Sequence, residues 1–334
     1  MNAAGSVDEA RRVIRAPNHL GDLVMALPAL AAATDADVML PRGLVPLAAY
    51  ALGMGRIIPF DRGRHGFLAA ARRLRRGSYR SGVLLPPSLS SALIFRAGGV
   101  RHCRGLATDG RRILLADAIP REAIRRMHRV SGYLFLVTGT EPASPPAPHL
   151  PLPPDVRARG AAFVAGAGRR TIGVFPGSNA SSRRWDPERF REVVRQLTDA
   201  GDHVIVFGGR DEAELTSFVA AEAGVDAGGK TDLPLLAGAL AACDILISND
   251  TGPLHVAAAV GTPTVSLQGA SNPAVTGVIG TQHRFLRRPD LACVPCVRNV
   301  CPRHGPGYLL PIAQRECLRL IEVQDVLAAV SPSM

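Results

Sequence analysis

Short apolar runs alternate with longer stretches whose apolar positions recur at helical spacing along most of this chain. Val13 to Ala16 begin the series as a predicted strand. Pro17 to Asp22 form a loop, and Leu23 to Ala33 a helix that Pro28 should kink. Asp37 to Leu40 read as a strand, Leu44 to Leu52 as a helix, and Arg56 to Phe60 as a strand. Phe67 to Arg76, Gly82 to Leu85 and Ser90 to Ala97 continue as helix, strand and helix, and Glu122 to Val137 read as a longer amphipathic helix. Units of this length argue for a parallel sheet covered on both faces.

The pattern then stops and restarts. Glu141 to Asp155, EPASPPAPHLPLPPD, has no periodicity and reads as an extended linker. Beyond it, Thr171 to Phe175 are a predicted strand and Pro176-Gly177-Ser178 a loop. Pro187 to Asp199 form a helix with Asp186 at its N-cap. His203 to Phe207 form a strand ending in Gly208-Gly209, and helices follow at Glu212 to Ala223 and Leu233 to Ala242. Ile245 to Ser248 are the next strand. Asn249 to Pro253 turn, Leu254 to Val260 form a helix closed by Gly261, and Thr264 to Leu267 form a strand. The expected class is α/β: two doubly wound, Rossmann-like domains, residues 1–150 and 151–334, the second with a cysteine-rich tail and a terminal helix. Ligands of such sheets bind beyond the carboxyl ends of the strands, so the expected site is a cleft between the domains.

Charge adds a partner class. The net charge is +11, and residues 1–150 carry all of it: 21 Arg against 10 acids, while 18 basic and 18 acidic residues balance in 151–334. The first half should therefore face something anionic: a membrane surface, an acidic glycolipid or a nucleic acid. Aromatic–basic interleaving and known nucleic-acid modules are lacking, which argues against nucleic acid. The polar, acid-bearing start MNAAGSVDEARR is not a signal peptide, and no apolar run reaches the roughly 18 residues of a membrane span. A cytoplasmic location is expected.

Several strand ends carry candidate chemistry. The Asn249 to Gly252 turn, with a helix after it, directs backbone N–H groups and a positive dipole end beyond the strand, which suits a phosphate or diphosphate. His255, in the first turn of that helix, fits either a phosphate contact or packing. Ser178 and Arg183 suit the same kind of ligand, and Trp185 reads as a packing anchor. After Gly208-Gly209 an acid, Glu212 or Glu214, could accept from ribose hydroxyls or simply start an exposed helix. The GxGxxG fingerprint is absent, which argues against NAD. Lys230 is the only lysine, a position where a compact ammonium would be called for. Asp22 reads from position alone as a helix cap, or as a general base. Cys293, Cys296, Cys301 and Cys317 are spaced C-x2-C-x4-C-x15-C. They fit structural zinc or an iron–sulfur cluster, the alternatives being free thiols or two disulfides. Cys103 and Cys243 read as buried residues.

Together these stretches resemble glycosyltransferase family 9, the ADP-heptose:lipopolysaccharide heptosyltransferases, especially the heptosyltransferase II branch. APNHLGDLVMALPAL (16–30) is similar to the family's N-terminal loop and helix, and YRSGVLLPPSLSSALIFRAGGVRHCRG (79–105) to the end of its acceptor domain. IGVFPGSNASSRRWDPERFREVV (172–194) and ISNDTGPLHVAAAVGTPTVSLQGASNP (247–273) resemble its donor-site motifs.

The resemblance implies a GT-B fold and an inverting, metal-independent transfer of heptose from ADP-heptose to the anionic lipopolysaccharide inner core, at the inner-membrane surface. It places the catalytic base on Asp22 and the nucleotide-diphosphate loop on Asp250, Thr251, Gly252 and His255. A basic phosphate contact, commonly Lys, falls on Arg183. Gly177, Ser178, Gly208, Glu212 and Lys230 complete the expected donor side, and Arg62, Arg64, Arg101 and Arg104 the acceptor side. Asp250 is expected to shape its loop. The alternatives are a family 9 relative using another nucleotide sugar, or a nucleotide-sugar epimerase of GT-B-like shape. The epimerase would need no basic acceptor face.

Overall fold

The computed structural model describes residues 11–301 and 316–331. The chain divides into two compact units, residues 1–145 and 146–334. The first carries β1 (Arg12–Arg15), α1 (Leu20–Ala32), β2 (Ala36–Pro41), α2 (Val45–Leu52), β3 (Ile57–Phe60) and α3 (Arg64–Arg76). β4 (Ser81–Leu84), α4 (Leu89–Ala97), β5 (His102–Leu106), β6 (Asp117–Ile119) and α5 (Arg129–Thr138) follow. Its strands are parallel, in the order β3-β2-β1-β4-β5-β6. Such a sheet is covered on both faces, and the middle of its inner strands is apolar, as Val13-Ile14 in β1 and Val38 to Leu40 in β2 show. Val13, Met39, Leu84, Leu74 and Phe95 fill the core beneath α3 and α4.

The second unit carries α6 (Pro154–Phe163), β7 (Thr171–Phe175), α7 (Pro187–Asp199), β8 (His203–Gly208), α8 (Ala213–Ala220), β9 (Val225–Gly228) and α9 (Leu233–Ala241). β10 (Ile245–Asn249), α10 (Gly252–Val260), β11 (Thr264–Gln268), α11 (Pro273–Thr276), β12 (His283–Arg287), α12 (Glu316–Arg319) and α13 (Val323–Val330) complete it. Its sheet is again parallel, in the order β12-β11-β10-β7-β8-β9. Leu318, Ile321, Val326 and Val330 from the C-terminal segment join Ile172, Val193 and Val265 in one core. Trp185 lies in that core, edge-on to Phe190, and its Nε1 donates to the Ile321 carbonyl at 3.1 Å. Trp185 is thus a packing anchor. Gly160 of α6 and Gly238 of α9 let two helices nearly touch, since a Cβ on Gly160 would lie 2.0 Å from the Gly238 carbonyl carbon.

Two expectations change. The predicted helix from Glu122 to Val137 is a short turn at Arg121–Ile124 followed by α5, because the His128 ring accepts from Val130 N at 3.3 Å and starts a new helix there. The predicted linker ends in helix: Pro154 and Asp155 open α6, with proline in a first turn that has no need of its N–H.

Each sheet has one switch point, where the first strand feeds neighbours on both sides: between β1 and β4, and between β10 and β7. Connections leave such a pair in opposite directions and open a crevice at the carboxyl ends.

Candidate functional site

In the second unit, Phe175 pairs with Ser248, so Pro176 and Asn249 leave the sheet side by side. One amide ties these two exits together. Asn249 Nδ2 donates to the Pro176 carbonyl at 2.6 Å, and its Oδ1 accepts from Trp185 N at 3.0 Å. The clamp is wholly buried, where an unmet polar group would be costly. It fixes the Pro176–Ser178 loop against the start of α10. Thr251 is the α10 N-cap, in extended conformation and without a side-chain cap bond, so the first-turn N–H groups remain for a ligand.

Asp250 is 3% exposed. Its Oδ2 lies 3.2 Å from Arg183 Nη1 and accepts from the Ser271 hydroxyl. Asp250 therefore holds the loop and aims Arg183, which stays partly open to solvent. Ser178 is buried and its hydroxyl accepts from Ala180 N at 3.4 Å. Glu212 accepts from Gly209 N at 2.9 Å, and its carboxylate lies so close over Gly177 that a Cβ there would sit 1.9 Å from Oε1. Gly177, Ser178, Arg183, Gly208, Glu212, Asp250, Thr251 and Gly252 thus gather along the carboxyl ends of β10, β7 and β8. Lys230 follows the edge strand β9, exposed, with Nζ donating to the Asp226 carbonyl at 2.5 Å.

His255 is buried in α10, close to His283, a residue that no motif in the sequence singles out. His283, at the start of β12, shares a 3.0 Å hydrogen bond with the Thr264 hydroxyl through Nδ1. Burial, and then His255, push its pKa down to about 4, so the ring stays neutral.

In the first unit, Asp22 lies in the first turn of α1. The N-cap position belongs to His19, so Asp22 does not cap this helix. Its Oδ1 instead accepts from the Tyr133 hydroxyl at 3.2 Å. Tyr133 comes from α5, which packs along α1. Burial, then the Asp22 charge, push its pKa far above the usual phenol range, so it remains a donor.

Arg62 and Arg64 line a cavity of about 680 Å³ beyond the ends of β1 and β3, and Arg62 donates to the Asn18 carbonyl at 2.9 Å. The other two candidate arginines do not join them. Arg101 precedes β5, at the amino edge of the sheet. Arg104 lies within β5, bonded to Asp117 and stacked 5.5 Å from the Phe135 ring centroid.

The metal expectation for Cys293, Cys296, Cys301 and Cys317 is not supported. Among the described residues no group of three or more His, Cys, Asp or Glu side chains converges enough to hold a metal ion. The four thiols are near one another, since after burial the other three also raise Cys317, to about 11. Cys317 is tucked against Gly269, and Cys293 is exposed. All four are free, and Cys103 and Cys243 are buried free thiols. No helix among the described residues is long and apolar enough to cross a membrane.

Known proteins resemble this chain in sequence and in fold. The sequence model of glycosyltransferase family 9 (heptosyltransferase) matches residues 67–305. Lipopolysaccharide heptosyltransferase 2 of Escherichia coli K12 is 28% identical over 302 residues, spanning 81% of this chain and 86% of that one. Lipooligosaccharide heptosyltransferase 2 of Haemophilus influenzae is 27% identical over 309 residues, covering 82% and 88%. The solved structure of the E. coli ADP-heptose lps heptosyltransferase II superposes with a TM-score of 0.79 at 25% identity, covering 96% of this chain and 97% of that one. The expected α/β class, two doubly wound sheets of GT-B type, holds.

Proposed function

The chain belongs to glycosyltransferase family 9, and on that premise we propose that it moves a heptose from ADP-heptose to an anionic lipopolysaccharide inner-core acceptor, with inversion and with Asp22 as the general base. The observation that carries the reading is the Asn249 clamp, which gathers Ser178, Arg183 and the α10 start at one switch point. Fixed N–H dipoles and a guanidinium suit a diphosphate whose charge grows as it leaves.

The proposed steps follow from these groups. The donor diphosphate lies on the Pro176–Ser178 and Asn249–Gly252 loops, with Arg183 on its charge, and Glu212 and Lys230 toward the nucleoside. The acceptor, held by Arg62 and Arg64, offers a hydroxyl to Asp22. Asp22 takes the proton as the oxygen attacks the anomeric carbon from the face opposite the diphosphate. The bond to the diphosphate oxygen breaks and its electron pair stays with the nucleotide. No cofactor enters these steps. The basic first unit also fits peripheral binding to an anionic membrane surface on the cytoplasmic side.

A thermal-shift comparison of ADP-, UDP- and GDP-sugars tests the donor: ADP-heptose should stabilise most, and a clear preference for a UDP-sugar would replace the reading with another family 9 activity. Mass spectrometry of a heptose-deficient lipopolysaccharide acceptor should then gain one heptose. Asp22→Asn should slow that gain by about 10²- to 10⁴-fold, the usual contribution of a general base.

A further inference from the structure

Two thiols of the second unit converge on one dipeptide. Val297 N donates to the Ala270 carbonyl at 2.8 Å, which brings Cys296 to the Gly269-Ala270 bend just beyond β11. Cys317 reaches the same bend from α12, where a Cβ on Gly269 would lie 3.2 Å from its Sγ. Both thiols are free and half-buried.

Residues 291–301, which carry Cys296, form a strap that also meets both supports of Arg183. The Asn299 carbonyl accepts from Ser182 N at 3.2 Å and from the Ser181 hydroxyl at 3.4 Å, and the Arg298 carbonyl accepts from the Ser182 hydroxyl. Ser182 directly precedes Arg183 and is buried. On the other side Ser271, next after Ala270, donates to Asp250, whose Oδ2 lies 3.2 Å from Arg183 Nη1. The strap itself has little packing of its own. Val297 and Val300 are 64% and 42% exposed, and Val297 has φ +53°, a left-handed backbone that a β-branched residue adopts at a cost.

We propose that Cys296 and Cys317 are an oxidative modification site, joined by a peroxide into a disulfide that locks the strap down and tightens the nucleotide site. The inference rests on the reading of the Arg183 and α10 loops as the nucleotide site. The Cys296 thiolate attacks one peroxide oxygen, the O–O bond breaks, and a sulfenic acid forms. The Cys317 thiolate then displaces hydroxide from that sulfur, and the S–S bond closes. Each thiol proton ends on a departing hydroxide, so two thiols and one peroxide give one disulfide and two waters. Burial, and then the other thiols, raise Cys317 to about 11, which suits it to resolve the sulfenic acid rather than to react first. A dithiol reverses the bond by exchange. In the reduced chain the strap can lift from Ser182 and Ala270. The cross-link confines it, so ADP meets an Arg183 loop already in place.

Titration of ADP into the full chain, reduced with dithiothreitol or oxidised with hydrogen peroxide, tests this. Non-reducing peptide mass spectrometry of the oxidised chain should find Cys296 joined to Cys317, and dithiothreitol should undo the link. ADP should bind about fivefold or more tightly after oxidation, the lower end of usual couplings between sites. Cys296→Ser should bind ADP like the reduced parent under both conditions, and Cys293→Ser should keep the response. Should Cys296→Ser not fold, Cys317→Ala must lose the response in its place. A disulfide between other cysteines, equal or weaker ADP binding after oxidation, a response retained without Cys296 or Cys317, or a stoichiometric metal ion held by these thiols would overturn the proposal. The two readings fail separately. A Cys296–Cys317 disulfide with equal ADP affinities removes the modification site alone, whereas no ADP binding in either state removes the nucleotide reading as well.

Discussion

Tyr133→Phe removes the hydrogen bond that Tyr133 gives the proposed base, together with the phenol's interaction with Arg129. The ring is 5% exposed, and phenylalanine keeps its packing between α5 and α1 while deleting only the hydroxyl. That hydroxyl lies 3.2 Å from Asp22 Oδ1, past the usual range for O–H···O bonds. A hydrogen bond to a charged group contributes about 1.5–3 kcal/mol, and the length argues for the lower end, about 1.5 kcal/mol. If that is expressed in the transition state, kcat falls about tenfold. Initial rates at saturating donor and acceptor, measured beside Asp22→Asn, decide the matter. Tyr133→Phe should show a lower kcat with donor KM unchanged, and Asp22→Asn a much deeper loss. A Tyr133→Phe enzyme at full kcat, with Asp22→Asn inactive, would show that Tyr133 does not position the base. Full activity in both would remove the base assignment itself.

Arg183→Ala strips Asp250 of its cation; with Asp250 buried and Arg183 partly exposed, we expect a loss of about 2 kcal/mol in denaturant unfolding together with weaker ADP binding, and a variant as stable as the parent would refute the coupling. His283 stays neutral down to about 4, whereas an unfolded histidine takes its proton near 6.5. Between those values the unfolded state binds more protons, so its contribution to stability is complete above about 6.5 and is lost as pH falls toward 4. His283→Asn should flatten that dependence in urea midpoints measured across the window. Gly160→Ala places a methyl group 2.0 Å from the Gly238 carbonyl carbon and should destabilise the second unit by about 1–3 kcal/mol, read as a lower thermal midpoint.

Local punctuation made part of this molecule legible. Strand β7 and helix α7 begin and end where the sequence places them, because Asp186 caps Glu188 N and Pro187 opens the turn. The strands the sequence reading omits are short or carry charged residues. β6, β9 and β12 are sheet edges, paired on one side only, and tolerate His283, Arg284 and Arg287. β5 is an inner strand, but His102 and Arg104 hide it among charged neighbours. The phosphate-type loops could be anticipated because glycine, proline and capping residues mark them. Their fastening could not, since Asn249 reaches a carbonyl 73 residues away and Tyr133 reaches Asp22 across 111. Cysteine spacing does not by itself establish a metal site either: separation along the chain does not fix convergence in space.

Lys230 has a practical consequence. Every other basic side chain of the arginine–lysine kind here is a guanidinium, so an amine-selective reagent meets one lysine, apart from any free α-amino group. That lysine stands at the rim of the second sheet, on the same edge as the loops assigned to the nucleotide. A fluorophore coupled there would be a single reporter placed by the fold itself, and protection from coupling by ADP would map occupancy of the rim without any assay of turnover.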